Sequence, residues 1–451
     1  MAETTGFVQE LKWDVADAAV IALIGDDPGN AEAFKIVISP ADSDAALSAK
    51  RAMGRLLGQA TLRGWEVLVT YPDGDPELSS VLAPASAVAQ PSVELDGIEV
   101  TQAIQDMSQS VPLVAGKATV ARVYLSNYSA APVTVSGVLS VRTSASAPAV
   151  QVASAGLAVL DPAQAGNLAA ARDDVLHSLN FPLPYAQTAE GPLTVSLASV
   201  TDAATGAALT VGHERQPTVR FIASPPLRVR VLGMRYQQGT PPVTFIPSSR
   251  DFDLLESWLA RAYPVGQVFS SRVVIDATPA VPFGCGDINA QLAAIRALDM
   301  SAGADPRTHY YGMVSDGGFF MRGCAAGIPA TADPGTVASG PTGPNTWGWD
   351  SDGSYGDWYG GHELGHTFGR LHPGFCGESQ DDLKGYPFPK GELADADGSF
   401  VGFDVGDPVL ALPMTALPGQ TWTDVMTYCN REWLSPYTYR GILDRLMIEG
   451  A

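Results

Sequence analysis

The stretch that most constrains this chain lies near its C-terminal end: His362-Glu363-Leu364-Gly365-His366-Thr367-Phe368-Gly369-Arg370-Leu371-His372. On an α-helix, residues four apart lie on the same face. His362 and His366 can therefore present two imidazole nitrogens to one point in space. Glu363 sits one position round and can reach a water bound at that point without ligating an ion itself. Gly369 is where a helix would end, because glycine enters the left-handed conformation that turns the chain. The turn then returns His372 as a third nitrogen. Three imidazoles and one open position are the make-up of a catalytic zinc site, whereas a structural site is closed by a fourth protein ligand. The chain has only 6 histidines, and half of them fall within this run. That concentration weighs against two histidines that merely flank a buried helix.

A second, separate piece follows downstream: Asp424-Val425-Met426-Thr427-Tyr428-Cys429. The two together resemble the metzincin zinc-endopeptidase signature, H-E-x-x-H-x-x-G-x-x-H with a methionine-containing turn. The resemblance rests on these two motifs and covers the second half of the chain. It implies one catalytic Zn2+ held by His362, His366 and His372, with Glu363 as general base. It also implies an upper sheet subdomain, a horizontal cleft and a lower helical subdomain. Met426 would lie under the metal as support and not ligate it. Tyr428, two residues after the methionine, is similar to the tyrosine of the astacin and serralysin branches. There the hydroxyl touches the metal or stabilises the oxyanion; simple packing is the competing role. His372 is followed by Pro373, unlike those branches, which leaves the subfamily open.

The four cysteines are Cys285, Cys324, Cys376 and Cys429, all in the second half. Four cysteines allow three pairings, and four reduced, buried thiols are the alternative. The metzincin resemblance puts the loops of Cys376 and Cys429 beneath the metal, which implies Cys376–Cys429 and leaves Cys285–Cys324 as the other bridge. Disulfides would indicate an oxidising compartment, extracellular or periplasmic. The start, Met1-Ala2-Glu3-Thr4-Thr5-Gly6-Phe7, lacks the basic and apolar runs of a signal peptide. The chain either stays inside, leaves by another route, or has lost a segment that preceded Met1.

At 451 residues, two or three domains are expected. With 46% hydrophobic and 17% charged residues the chain is globular and not disordered. A net charge of −21, from 27 basic and 48 acidic residues, repels nucleic acid and anionic membranes. No window approaches the ~18 to 20 apolar residues that span a bilayer.

In chain order, residues 1–83 read as five strands with a helix between the third and fourth, the order of an OB-fold barrel. Asp42 or Ser43 caps that helix, its apolar face is Ala49, Met53, Leu56, Leu57 and Ala60, and Gly64 ends it. The runs Ala33-Phe34-Lys35-Ile36-Val37-Ile38, Lys50-Arg51-Ala52-Met53 and Val67-Leu68-Val69 are similar in pattern to the cholera-type toxin B subunit. Such a barrel is either a stabilising or oligomerising accessory domain or a module for a glycan or partner protein. Pro84 to Pro91 is a linker. Residues 92–224 alternate in short strands between Pro, Gly, Asn and Ser, as in an immunoglobulin-like β-sandwich. Residues 227–451 then run strand, helix, strand, helix, strand, the upper half of a zincin. Gly323 to Ile328, through Gly323, Ala325 and Gly327, is the expected edge strand above the cleft, where an extended peptide can add by main-chain hydrogen bonds. The Gly/Ser/Thr/Trp-rich stretch from Pro334 to Tyr359 leads into the histidine helix. Asp395-Ala396-Asp397-Gly398, in the segment 395–407, offers alternating carboxylates to a Ca2+ ion but lacks a full EF-hand loop.

The expectation is a multidomain α+β chain: an OB-like barrel, an immunoglobulin-like sandwich and a metzincin-type catalytic domain acting on a protein or glycoprotein. Two other classes compete. One is a zinc-bearing adhesin or toxin-like glycan-binding protein in which proteolysis is secondary. The other is a metallohydrolase of glycans or esters.

Overall fold

The computed structural model describes the chain apart from residues 15–17, 64–65, 83–92, 321, 345–348, 351, 378–379, 383–384 and 451. The expected helix stop at Gly64 and the linker Pro84 to Pro91 lie outside the described residues. The chain is a multidomain α+β protein that divides into two compact units, Met1–Gln90 and Pro91–Ala451.

In the first unit, five antiparallel strands hydrogen-bond in the order Glu32–Val37, Ala19–Gly25, Ala2–Asp14, Glu66–Tyr71, Ser80–Leu82. Lys35 N donates to Pro76 O at 3.0 Å and Leu78 N to Lys35 O at 2.8 Å, so a parallel bridge links the two ends of that order. The helix Asp44–Arg63 sits in sequence between the third and fourth strands. Ser43 caps it, its Oγ taking the Ala46 amide. Leu57 and Ala60 are buried among Ile24, Phe34, Val67 and Val69. Ala49, expected on the apolar face, is exposed; its position on the helix faces away from that cluster.

The second unit holds both the sandwich and the histidine motif. One sheet runs Leu179–Pro182, Val120–Asn127, Val93–Thr101, Val211–Gly212. The other runs Val150–Ala153, Val133–Arg142, Gly191–Asp202, Thr218–Ile222, Leu113–Val114. Alternate residues of both sheets, including Val123, Phe181, Leu139, Val195 and Phe221, bury one shared core. Residues 93–224 and 227–450 pack together in one compact unit. The reason is physical. Ile104–Asp106 pairs with Phe400–Asp404 in a common sheet, Trp433 Nε1 donates to Ala103 O at 2.8 Å, and Arg172 Nη1 donates to Ser399 O at 3.0 Å.

Beyond the sandwich, strands Leu227–Gln238, Val268–Asp276, His309–Ser315 and Ala338–Thr342 form a parallel sheet around Leu227–Gln238 and His309–Ser315. Its faces alternate along each strand. Val229, Val231 and Tyr311 point to the helices Ser249–Ala262 and Gly356–Thr367, while Leu232, Met234 and Tyr310 point to Cys285–Ser301. Ser248 and Asp251 form a capping box at the start of Ser249–Ala262. Ala338–Thr342 is a buried strand within the Gly/Ser/Thr/Trp-rich stretch that leads to the histidine helix. The edge strand is present but short, Cys324–Ala325, antiparallel to Ala338–Thr342. Gly327 falls outside it and is exposed, because the chain leaves the sheet after Ala325. The region after His372 holds little of the helical subdomain that the resemblance implies. It is irregular, with strands Phe400–Asp404 and Thr415–Pro418 and one closing helix, Pro436–Gly450, as its density of Pro, Gly and Asp favours.

Candidate metal centre

The helix Gly356–Thr367 carries the motif, and small residues on it allow close approach of its neighbours. A Cβ on Gly361 would stand 2.2 Å from the ring of Trp258. Only glycine lets this helix approach Ser249–Ala262 so closely. His362, Glu363 and His366 are buried on it, at 6%, 4% and 5% exposure. The helix stops as the sequence requires. Gly369 has φ +72°, and Arg370 N returns to Gly365 O at 3.0 Å. That reversal carries His372 back towards the helix.

The three rings converge. His366 Nε2 lies 3.1 Å from His372 Nε2, which lies 3.3 Å from His362 Nε2. Each opposite nitrogen faces an acceptor. His362 Nδ1 donates to Val425 O at 2.6 Å, His366 Nδ1 to Arg370 O at 2.7 Å, and His372 Nδ1 to Asp381 Oδ2 at 3.3 Å. With their protons on Nδ1, all three rings turn bare Nε2 lone pairs to one point. Lone pairs cannot hydrogen-bond one another, so this donor set fits a cation. Burial, and then the neighbouring rings of His366 and His372, push the pKa of His362 down, which favours the neutral imidazole that a metal needs. These three residues form a group that could hold a metal ion.

Glu363 is buried beside them. Burial pushes its pKa up to about 8, opposed by an Ala325 N–H and by Arg322. Gly323 and Ala325 of the expected edge strand thus reach the site. Gly323 N donates to Tyr359 Oη at 3.0 Å, and a Cβ on Gly323 would stand 2.7 Å from Glu363 Oε1. Met426 is 1% exposed, and its Sδ lies 2.5 Å from where a Cβ of Gly365 would be, directly against the helix. Asp424 shapes this turn: its Oδ1 takes Met426 N at 2.9 Å and its Oδ2 takes Ser435 N at 3.0 Å. The Tyr428 ring stands 5.7 Å from that of His362 and 5.3 Å from that of His372, and 46% of the residue remains exposed. It borders the rings and is not core packing.

Cys376–Cys429 ties the loop after His372 to the turn after Met426, and Cys285–Cys324 ties the edge strand to the helix behind it. Carboxylates of the segment 395–407, considered for Ca2+ beside the reading of a solvated loop, have other partners. Asp395 caps the amide and hydroxyl of Ser399, Asp404 pairs with Arg261, and Asp407 takes Val409 N. Among the described residues no metal-competent group forms there; the second such group is Asp350, Asp352 and Asp357.

The sequence reading did not find Asp381, which also accepts His372 N at 2.6 Å. Its one signal was chemical: a ligating histidine wants an acceptor for its second ring nitrogen, and Asp381-Asp382 is the next pair of carboxylates after His372.

No family model matches the sequence, and no curated protein matches it. Solved structures of a Bacteroides uniformis β-glucuronidase are similar to part of the chain at 12% identity and a TM-score of 0.19, covering 50% of this chain and 29% of that one. The Bacteroides uniformis β-glucuronidase 2 covalently bound to cyclophellitol-6-carboxylate aziridine gives 13% and 0.19 over the same shares. Its calcium-binding mutant gives 10% and 0.15. The chain therefore spans under a third of those chains' length.

Proposed function

We propose that this chain is a zinc-dependent endopeptidase of metzincin type acting on protein or glycoprotein substrates. One observation carries the reading: three imidazoles, each oriented by an acceptor on Nδ1, direct Nε2 to one point beside a buried glutamate. Zn2+ on His362, His366 and His372 would lower the pKa of a water from ~15.7 to about 7 and polarise the scissile carbonyl. Glu363 accepts the proton of the attacking water and passes it to the leaving amine. Its burial keeps bulk water from competing for that proton. The strand Cys324–Ala325 lies at the sheet edge next to Glu363, where an extended substrate can add by main-chain hydrogen bonds. Tyr428, whose ring stands beside those of His362 and His372, would supply a hydroxyl to stabilise the developing oxyanion.

The succession of parallel strands and helices, with an antiparallel edge strand by the histidine helix, supports a zincin-type catalytic half. The strand order and parallel bridge of the first unit support an OB-like barrel, with the role of an accessory or glycan- or partner-binding module. Two disulfides support an oxidising, extracellular or periplasmic location. No described helix is long and apolar enough to cross a membrane.

The test is metal content and casein or gelatin cleavage, side by side, for wild type and Glu363→Gln. Zinc in both, with cleavage only by wild type, is the expected result. The absence of zinc from freshly purified, unchelated protein would refute the reading. Zinc without cleavage by wild type would turn the search to glycopeptide and ester libraries.

A further inference from the structure

A second candidate site lies where the chain enters the histidine helix. Asp350, Asp352 and Asp357 each offer a carboxylate oxygen within 4.8 Å of the others. They line a cavity of about 240 Å3 together with Asp404, Glu432 and Arg261. Arg261 is the one basic side chain lining it among the described residues, and it is already paired with Asp404 and bonded to Ser257 Oγ. Its charge cannot balance the remaining carboxylates.

Glu432 is an independent sign of a missing partner. It comes from the far side of the metal turn, is only 2% exposed, and lines the same cavity with an Oε2 that no donor reaches. The buried Oδ2 of Asp350 also has no donor. Asp350 Oδ1 takes the amide of Asp352 at 3.3 Å, Asp352 Oδ1 that of Ser354 at 3.1 Å, and Asp357 Oδ1 that of Trp358 at 2.7 Å. Backbone amides thus orient one oxygen of each aspartate and leave the set short of positive charge. Buried carboxylates in that state must take up protons or a cation. Burial and the charge of Asp352 push the pKa of Asp350 up to about 7, and burial with the charges of Asp352 and Asp350 pushes that of Asp357 up as well. Protons therefore offset part of this charge near neutral pH, and a divalent ion competes with them for the same oxygens.

We propose that Asp350, Asp352 and Asp357, in the cavity that Glu432 also lines, bind a Ca2+ ion distinct from the metal of the histidine centre. The spacing suits it: oxygens at ~2.3 to 2.6 Å from a calcium ion stand up to about 5 Å apart across it. A set of hard oxygens without nitrogen or sulfur selects against zinc. Asp357 is the second residue of the helix Gly356–Thr367. The ion fastens the segment holding Asp350 and Asp352 to the start of the helix that carries His362, Glu363 and His366.

Three tryptophans provide the readout. Trp349, Trp358 and Trp422 line the same cavity, with Trp349 5.1 Å from Trp358 and 5.9 Å from Trp422. In the zinc-loaded full chain, Tb3+ used as the calcium probe should give tryptophan-sensitised emission that saturates near about one ion per chain. Ca2+ should displace it and Mg2+, which demands tight octahedral geometry, should not. Asp350→Asn/Asp352→Asn should weaken Tb3+ binding more than about tenfold with zinc content unchanged. The wild-type measurement stands alone if that variant folds poorly. No emission, emission that Ca2+ leaves untouched or that Mg2+ displaces equally, or full emission in a folded double variant would each overturn the assignment.

Discussion

The Nδ1 of His362 and the carbonyl oxygen of Val425 stand 2.6 Å apart, so the first candidate ligand is held by the residue immediately before Met426. Met426 in turn presses on the same helix from below, its Sδ 2.5 Å from the Cβ that Gly365 lacks. The turn therefore fixes His362 twice, once through a hydrogen bond and once through the helix beneath it. Gly365→Ala should displace Met426 and Val425 together. The expected cost is about 1–3 kcal/mol of stability and a loss of metal affinity on the order of 10- to 100-fold, read by titration against a chelator. Gly365→Ala/Met426→Ala should recover part of the affinity, since the clash is with the sulfur. Additive losses in that pair would show that the contact does not matter.

Tyr428 separates a catalytic from a packing role, because nearly half of it is exposed beside two candidate ligands. Tyr428→Phe keeps the ring and removes the hydroxyl. A fall of roughly 10- to 100-fold in kcat, with KM and metal content unchanged, is expected if the hydroxyl stabilises charge in the transition state. Unchanged kcat would reduce Tyr428 to a border of the cleft.

Asp381 gives a sharper test of how the third ligand is oriented. Its Oδ1 accepts the backbone amide of His372 at 2.6 Å and its Oδ2 faces Nδ1 of the same residue at 3.3 Å. Asp381→Asn can retain the first bond, but it places an amide donor opposite a nitrogen that must itself donate. The ring would then turn its proton to Nε2 and withdraw the third lone pair. Metal affinity should fall about 10- to 100-fold, with thermal stability of the metal-free protein nearly unchanged. A variant that binds metal as wild type does would remove Asp381 from the site.

The residues legible in the sequence were those whose chemistry is local. His362 and His366 meet because helical periodicity requires it, and His372 returns because a glycine stands where the left-handed turn is needed. The two disulfides join Cys376 to Cys429 and Cys285 to Cys324, the pairing implied by the metzincin resemblance. What stayed hidden was assembled by tertiary contact. Ala338-Ser339-Gly340-Pro341-Thr342 has almost no intrinsic strand preference, yet all five residues are buried as the sheet's fourth parallel strand. Asp381 lies in an irregular segment with no period to mark it. The sheet that joins Ile104–Asp106 to Phe400–Asp404 links segments far apart in sequence, so no local pattern marks the fusion between them.

That fusion makes its own pH-dependent prediction through Lys117. This lysine is 1% exposed and caps the helix Ser249–Ala262, with Nζ donating to Ala260 O at 2.5 Å and Arg261 O at 2.8 Å. Burial first, and then the charge of Arg261, push its pKa down to about 7, against a smaller opposing pull from Asp404. In the unfolded chain the same amine titrates near ~10.4. Below pH 7 both states are protonated and the lysine adds no pH dependence. Between about 7 and 10.4 the unfolded chain holds the extra proton, so stability rises with pH across that window. From pH 7 to 8.5 the gain should be about 1–2 kcal/mol, measured by urea unfolding followed by tryptophan emission. Lys117→Met removes the titrating group, and the difference between wild type and variant should shift in favour of wild type by that amount as pH rises. Parallel pH profiles for the two proteins would mean that the lysine stays charged in its buried seat, with the helix carbonyls holding the charge.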